Sequence, residues 1–109
     1  MSKPVDIEIL IFAGCPNGEP AAELVEQAVR STGIEATVTI TNVETRQAAL
    51  TERFLGSPTI RVAGVDIEPG ADTRTDFVLS CRVYRTAEGF RGLPDEHWLT
   101  AALAAAATS

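Results

Sequence analysis

Five large apolar residues, Ile7, Ile9, Leu10, Ile11 and Phe12, crowd residues 6–13, and the run breaks at once into Gly14-Cys15-Pro16-Asn17-Gly18. Consecutive side chains of a strand point to opposite faces, so a run that is apolar on both faces describes a strand covered on both sides. Such a strand needs layers above and below it. The rest of the chain must therefore supply helices to both faces of a sheet.

The pattern that follows meets this requirement. Residues 20–31 place Leu24, Val25, Ala28 and Val29 at helical spacing, with Pro20 in the first turn, a Glu26–Arg30 pair one turn apart, and Gly33 to close the helix. Residues 34–41 alternate as a strand, Ile34, Ala36, Val38 and Ile40 against Glu35, Thr37 and Thr39. A second helix is expected at 45–55 with Leu50 and Phe54 on one face, ending at Gly56, and a short strand at 59–63 after Ser57-Pro58. Residues 64–76 read as a loop rich in Gly, Pro and acid. Residues 77–84 have strand character, and 86–93 read as a turn region. Asp95 caps a last helix that packs Trp98, Leu99, Ala102 and Leu103 inward. The order is β-α-β-α-β-β-α, an α/β chain with a mixed four-stranded sheet and helices on both faces.

The 109 residues, 45% hydrophobic and 22% charged, fit a single domain over 1–109. A net charge of -6, from 15 carboxylates against 9 Lys and Arg, repels phosphate backbones and anionic lipid headgroups. Neither nucleic acid nor a membrane is an expected partner. No window approaches the ~20 apolar residues of a spanning helix. The first residues lack the pattern of a secretory leader, so a cytoplasmic location is expected. There is no phosphate-binding glycine loop, no Gly-x-Ser-x-Gly elbow and no metal-spaced His pair, and no cofactor or metal is expected.

The two cysteines, Cys15 and Cys81, are too few for a disulfide scaffold or a zinc site of their own. Cys15 stands where the first strand gives way to the first helix, and the amides of a helix N-terminus favour an anion such as a thiolate. Its bland alternative is a small buried apolar residue at a strand end. Ser57-Pro58 is a site where a cis peptide is plausible, although proline also serves simply to stop a helix and start a strand.

Taken together, Phe12-Ala13-Gly14-Cys15-Pro16-Asn17, Gly56-Ser57-Pro58-Thr59-Ile60-Arg61-Val62, Asp66 with Glu68-Pro69, Ser80-Cys81-Arg82-Val83-Tyr84 and the late Gly-x-Pro resemble the thioredoxin superfamily. They are similar in particular to small bacterial thioredoxin-like proteins, some labelled alkylmercury lyases. The resemblance implies a thioredoxin-like fold, with Cys15 as the attacking thiol and Pro58 as a cis-proline beside it. It also implies that Thr59 presents backbone groups near the sulfur, and that Pro16, Asn17 and Ser57 contribute to the surface a substrate meets. One departure is decisive. The chain reads Cys15-Pro16-Asn17-Gly18, and glycine cannot resolve a mixed disulfide, so a dithiol cycle within that motif is excluded.

Cys81 is then the one intramolecular candidate for a resolving thiol. On a regular strand it shares a face with Phe77, Leu79 and Val83, the address of a core cysteine, and the strand is expected to begin far from Cys15 unless the loop 64–76 wraps back over that end. The carboxylates Asp66, Glu68, Asp72 and Asp76 are expected to be solvated loop residues. His97 is expected at the surface, and Trp98 and Tyr84 as packing residues with a polar end.

Three functions are compatible with these residues. The first is a monothiol redox protein whose Cys15 forms mixed disulfides with a small-molecule thiol or a protein disulfide, released by Cys81 or an external thiol. The second is an organomercurial or soft-metal thiol protein using Cys15, Cys81 and Asp66 as proton donor. The third is a non-catalytic binding module that kept the fold.

Overall fold

The computed structural model describes residues 3–108. Strand β1 (Val5–Ile11) is central, and a four-stranded mixed sheet forms around it in the order β2-β1-β3-β4. Strand β2 (Ala36–Asn42) runs parallel to β1, as the intervening helix α1 (Gly18–Thr32) requires, while β3 (Thr59–Val62) is antiparallel to β1. The fourth strand, β4, is the dipeptide Val65–Asp66, turned back on β3 through Ala63 and Gly64. Residues 77–83, expected to form that strand, do not: they run as an irregular segment that touches the sheet at a single parallel bridge between Ser57 and Cys81. The region read as a turn holds a hairpin instead, β5 (Tyr84–Thr86) with β6 (Gly89–Arg91).

Side-chain alternation along β1 divides the core. Ile7 and Ile9 point to one face, where Ala21, Val25 and Ala28 of α1, Ile60 and Val62 of β3, and Leu99 and Leu103 of the last helix α3 (Glu96–Thr108) close over them. Leu10 points to the other face, against Val43, Ala49 and Phe54. Helix α2 (Arg46–Thr51) covers that side but ends four residues short of the expected Leu55; it presents Ala49 inward and leaves Leu50 exposed. Helices thus lie on both faces.

Local signals are largely honoured. Gly33 closes α1 in the left-handed region and donates to the Val29 carbonyl. The Thr45 hydroxyl accepts from the Ala48 amide at the start of α2, and the Asp95 carboxylate accepts from the His97 amide at the start of α3. Strand β2 is the exception. Its alternation is clean, but Val38 and Ile40 remain 44% and 53% exposed because β2 is an edge strand that the helices only partly cover.

Candidate functional site

Strand β1 delivers Cys15 to one end of the sheet. The chain leaves β1 through Phe12, turns so that the Cys15 amide donates to the Phe12 carbonyl, and enters α1 as the Gly18 amide donates to the Cys15 carbonyl. Asn17 precedes the helix without a side-chain cap bond, so the first-turn amides are not covered by its side chain. Cys15 is half-buried, Pro16 is exposed and Asn17 is half-buried.

The β1–β3 pairing, continued past Leu10 and Thr59, sets Phe12 opposite Ser57, and the Phe12 amide donates to the Ser57 hydroxyl at 3.4 Å. The Ser57–Pro58 peptide bond is cis. On the far side of Ser57 lies Cys81: the Ser57 amide donates to the Ser80 carbonyl at 2.8 Å, and the Arg82 amide donates to the Ser57 carbonyl at 2.9 Å. Phe12 and the Cys81 backbone therefore flank Ser57 as neighbouring strands would, about 10 Å apart. The hairpin register extended one step beyond Tyr84–Arg91 sets Val83 opposite Gly92, and Gly92 lies directly against the Asn17 side chain. Phe12, Ser57, the Cys81 backbone, Gly92 and Asn17 thus lie at the end of the sheet where Cys15 stands.

This corrects the expectations for Cys81. The thiol is exposed, not packed in the core, and its segment meets the same end of the sheet as Cys15 rather than beginning far from it. Both cysteines are free. The physical reason is that residues 77–83 pair with the loop before β3, not with β3 itself, so strand alternation does not govern which side chains turn inward.

Ser57, Pro58 and Thr59 are fully buried, and the Thr59 hydroxyl is spent on the Gly56 carbonyl at 2.6 Å. The Ser57 main-chain groups are taken by Ser80 and Arg82. Of the four expected substrate-contacting residues, Pro16 is exposed and Asn17 is half-buried beside Gly92, whereas Ser57 and Thr59 are buried.

The residue that holds this arrangement is Arg82, to which sequence reasoning gave no role. Its side chain is 1% exposed. Its guanidinium makes two bonds to Asp66 (2.7 and 3.1 Å), one to Glu68 (2.9 Å) and one to Thr59 Oγ1 (3.1 Å), and lies 4.3 Å over the Tyr84 ring. Tyr84 in turn donates its hydroxyl to the Pro58 carbonyl, the polar end expected of it. Burial disfavours the Arg82 charge, but the bonds to Asp66 and Glu68 outweigh it and hold the guanidinium above its ordinary pKa. Burial likewise pushes the Tyr84 phenol up, opposed by the Arg82 charge.

Asp66 and Glu68 are therefore not solvated loop carboxylates, whereas Asp72 and Asp76 are exposed as expected, Asp76 pairing with Arg74 at 2.6 Å. The available signal was Arg82 as the one charge inside an apolar run, 16 and 14 residues after two acids in a tight loop. His97 is at the surface, as expected, 3.4 Å from Asp95.

No family model matches the chain, and no curated protein or solved structure matches it. Among the described residues, no three His, Cys, Asp or Glu side chains converge to hold a metal ion, and no helix is long and apolar enough to cross a membrane. Asp66, the expected proton donor of the soft-metal alternative, is bound through both carboxylate oxygens by Arg82.

Proposed function

We propose that the chain is a thioredoxin-like monothiol redox protein in which Cys15 exchanges with low-molecular-weight disulfides. The carrying observation is the position of Cys15: half-buried in the turn that opens α1, whose N-cap residue Asn17 makes no side-chain cap bond. The sheet order β2-β1-β3-β4 and the contact of Ser57 with Phe12, which leads into the Cys15 turn, support the fold assignment. The occupied main-chain groups of Ser57 favour a small thiol over an extended peptide, because a peptide strand finds no free donor or acceptor there.

In the first step the Cys15 thiolate attacks one sulfur of a small disulfide. A Cys15 mixed disulfide forms, the original S–S bond breaks, and the departing thiolate carries off the electron pair and takes a proton from water. In the second step a free small thiol, as thiolate, attacks the adduct sulfur. That step forms a new small disulfide and returns Cys15 to its thiolate.

Intact mass after exposure to oxidised glutathione tests the reading. In Cys81→Ser, native protein gains a single adduct at Cys15, faster than the same chain in urea and reversible with reduced glutathione. Loss of two hydrogens in the wild type alone would make Cys81 the resolving thiol. A native Cys15 that reacts no faster than the denatured chain overturns the redox reading and leaves a binding module.

A further inference from the structure

We propose that two copies of this chain associate through their β2 edges, antiparallel about a two-fold axis at Thr39, to make one continuous eight-stranded sheet. The inference rests on which backbone groups β2 leaves free. At one end of the β1–β2 ladder the Val5 amide donates to the Glu35 carbonyl, and at the other the Val43 amide donates to the Ile11 carbonyl. Alternation between those fixed points turns the amides and carbonyls of residues 37, 39 and 41 toward β1, and those of Ala36, Val38, Ile40 and Asn42 outward.

No described residue bonds to the four outward residues. A seven-residue strand with no charge and no proline is an unprotected edge; natural sheets blunt such edges with Lys, Pro, bulges or covering loops. The opposite edge differs, because β4 is only two residues long and its Asp66 is bound to Arg82.

A second copy fits this edge by its own symmetry. Centred on Thr39, the register pairs Ala36 with Asn42 and Val38 with Ile40 of the second copy, and the same pairs recur across the axis. All four outward residues then exchange both bonds with a partner. Val38 and Ile40 lie in register with the core residues Ile7 and Ile9, so their exposed surfaces meet on the face that already carries the main core. Thr39, whose own groups face β1, meets Thr39 of the second copy as a non-bonded pair with Cα atoms about 4.5 Å apart. The contact is a single strand pair, so association depends on protein concentration. Each copy carries -6, and the register brings the Glu35 end of one to the Glu44 end of the other, so added salt tightens association.

Sedimentation equilibrium from low to several hundred micromolar tests this. The wild type should pass from monomer to dimer. Ile40→Lys, at a site exposed in the monomer, should raise the dissociation constant at least tenfold with an unchanged circular dichroism spectrum, and Val65→Lys on the opposite edge should not. In a Cys15→Ser, Cys81→Ser chain, Thr39→Cys should oxidise to a covalent dimer, while Thr37→Cys and Thr41→Cys should not. A wild type that stays monomeric throughout, a dimer indifferent to Ile40→Lys, or cross-linking through position 37 or 41 overturns the proposal.

Discussion

Ser57 and Cys81 are joined by one parallel bridge, two backbone hydrogen bonds that tie an otherwise irregular segment to the loop before β3. That bridge brings the second cysteine to the end of the sheet where the first stands. It also sends the next side chain, Arg82, inward beneath Pro58 and Thr59 while leaving the Cys81 thiol in solvent.

Because Cys81 is exposed and the bridge uses only its backbone, Cys81→Ser should change unfolding free energy by no more than about 0.5 kcal/mol. Urea denaturation followed by Trp98 fluorescence measures this. A loss of several kcal/mol would mean that the thiol is packed in the core.

Arg82→Met should be among the most damaging single changes in the chain. It strips Asp66 of its guanidinium partner and removes one of the two from Glu68, a loss of about 3–5 kcal/mol for a buried pair broken on one side. Adding Asp66→Asn to it should recover part of that loss, because the orphaned charge is then gone. Equal midpoints for the single and double variants in denaturant would contradict this account.

Gly56 has φ +116°, and a Cβ there would sit 2.9 Å from Arg82 Cβ and 3.0 Å from Arg82 Cα. Gly56→Ala therefore combines backbone strain with a collision against a buried main chain, and should cost more than about 3 kcal/mol. Gly64→Ala, at φ +83° in open space, carries the strain alone and should cost about 1 kcal/mol. Thermal unfolding of the two variants side by side gives the comparison.

Tyr84 is the chain's one tyrosine, so tyrosinate absorbance reports on it alone. Burial raises its folded pKa above the ordinary value of 10.0. Between those two values the unfolded chain has released a proton that the folded chain keeps, so the unfolded state binds fewer protons and stability falls as pH rises. The Tyr84 contribution is complete below pH 10 and declines above it, by up to about 1.4 kcal/mol per pH unit. Tyrosinate absorbance should appear together with loss of near-ultraviolet circular dichroism. Ionisation near pH 10 in protein that remains folded would contradict the buried environment.

The central elements were legible from local patterns of residues. The apolar run of β1, the spacing of Val25 and Ala28 in α1, the left-handed Gly33 and the Asp95 cap are local signals. Their consequence, a mixed sheet with helices on both faces, follows because each element has one stable way to bury its apolar side. The position of Cys15 at a strand–helix junction was legible for the same reason.

Residues 64–93 take their form from long-range packing. Val65–Asp66 is too short to carry a period, and residues 77–83 carry a strand's period but lie against a loop instead of a strand. The bonds of Arg82 to Asp66, Glu68 and Thr59 cross 14 to 23 positions of the chain, and neither side of such a pair leaves a local pattern. A strand's alternation states which side chains share a face. It does not state which neighbour covers that face, and this is why Cys81 lies in solvent, Arg82 lies in the core and Ile40 waits at an open edge.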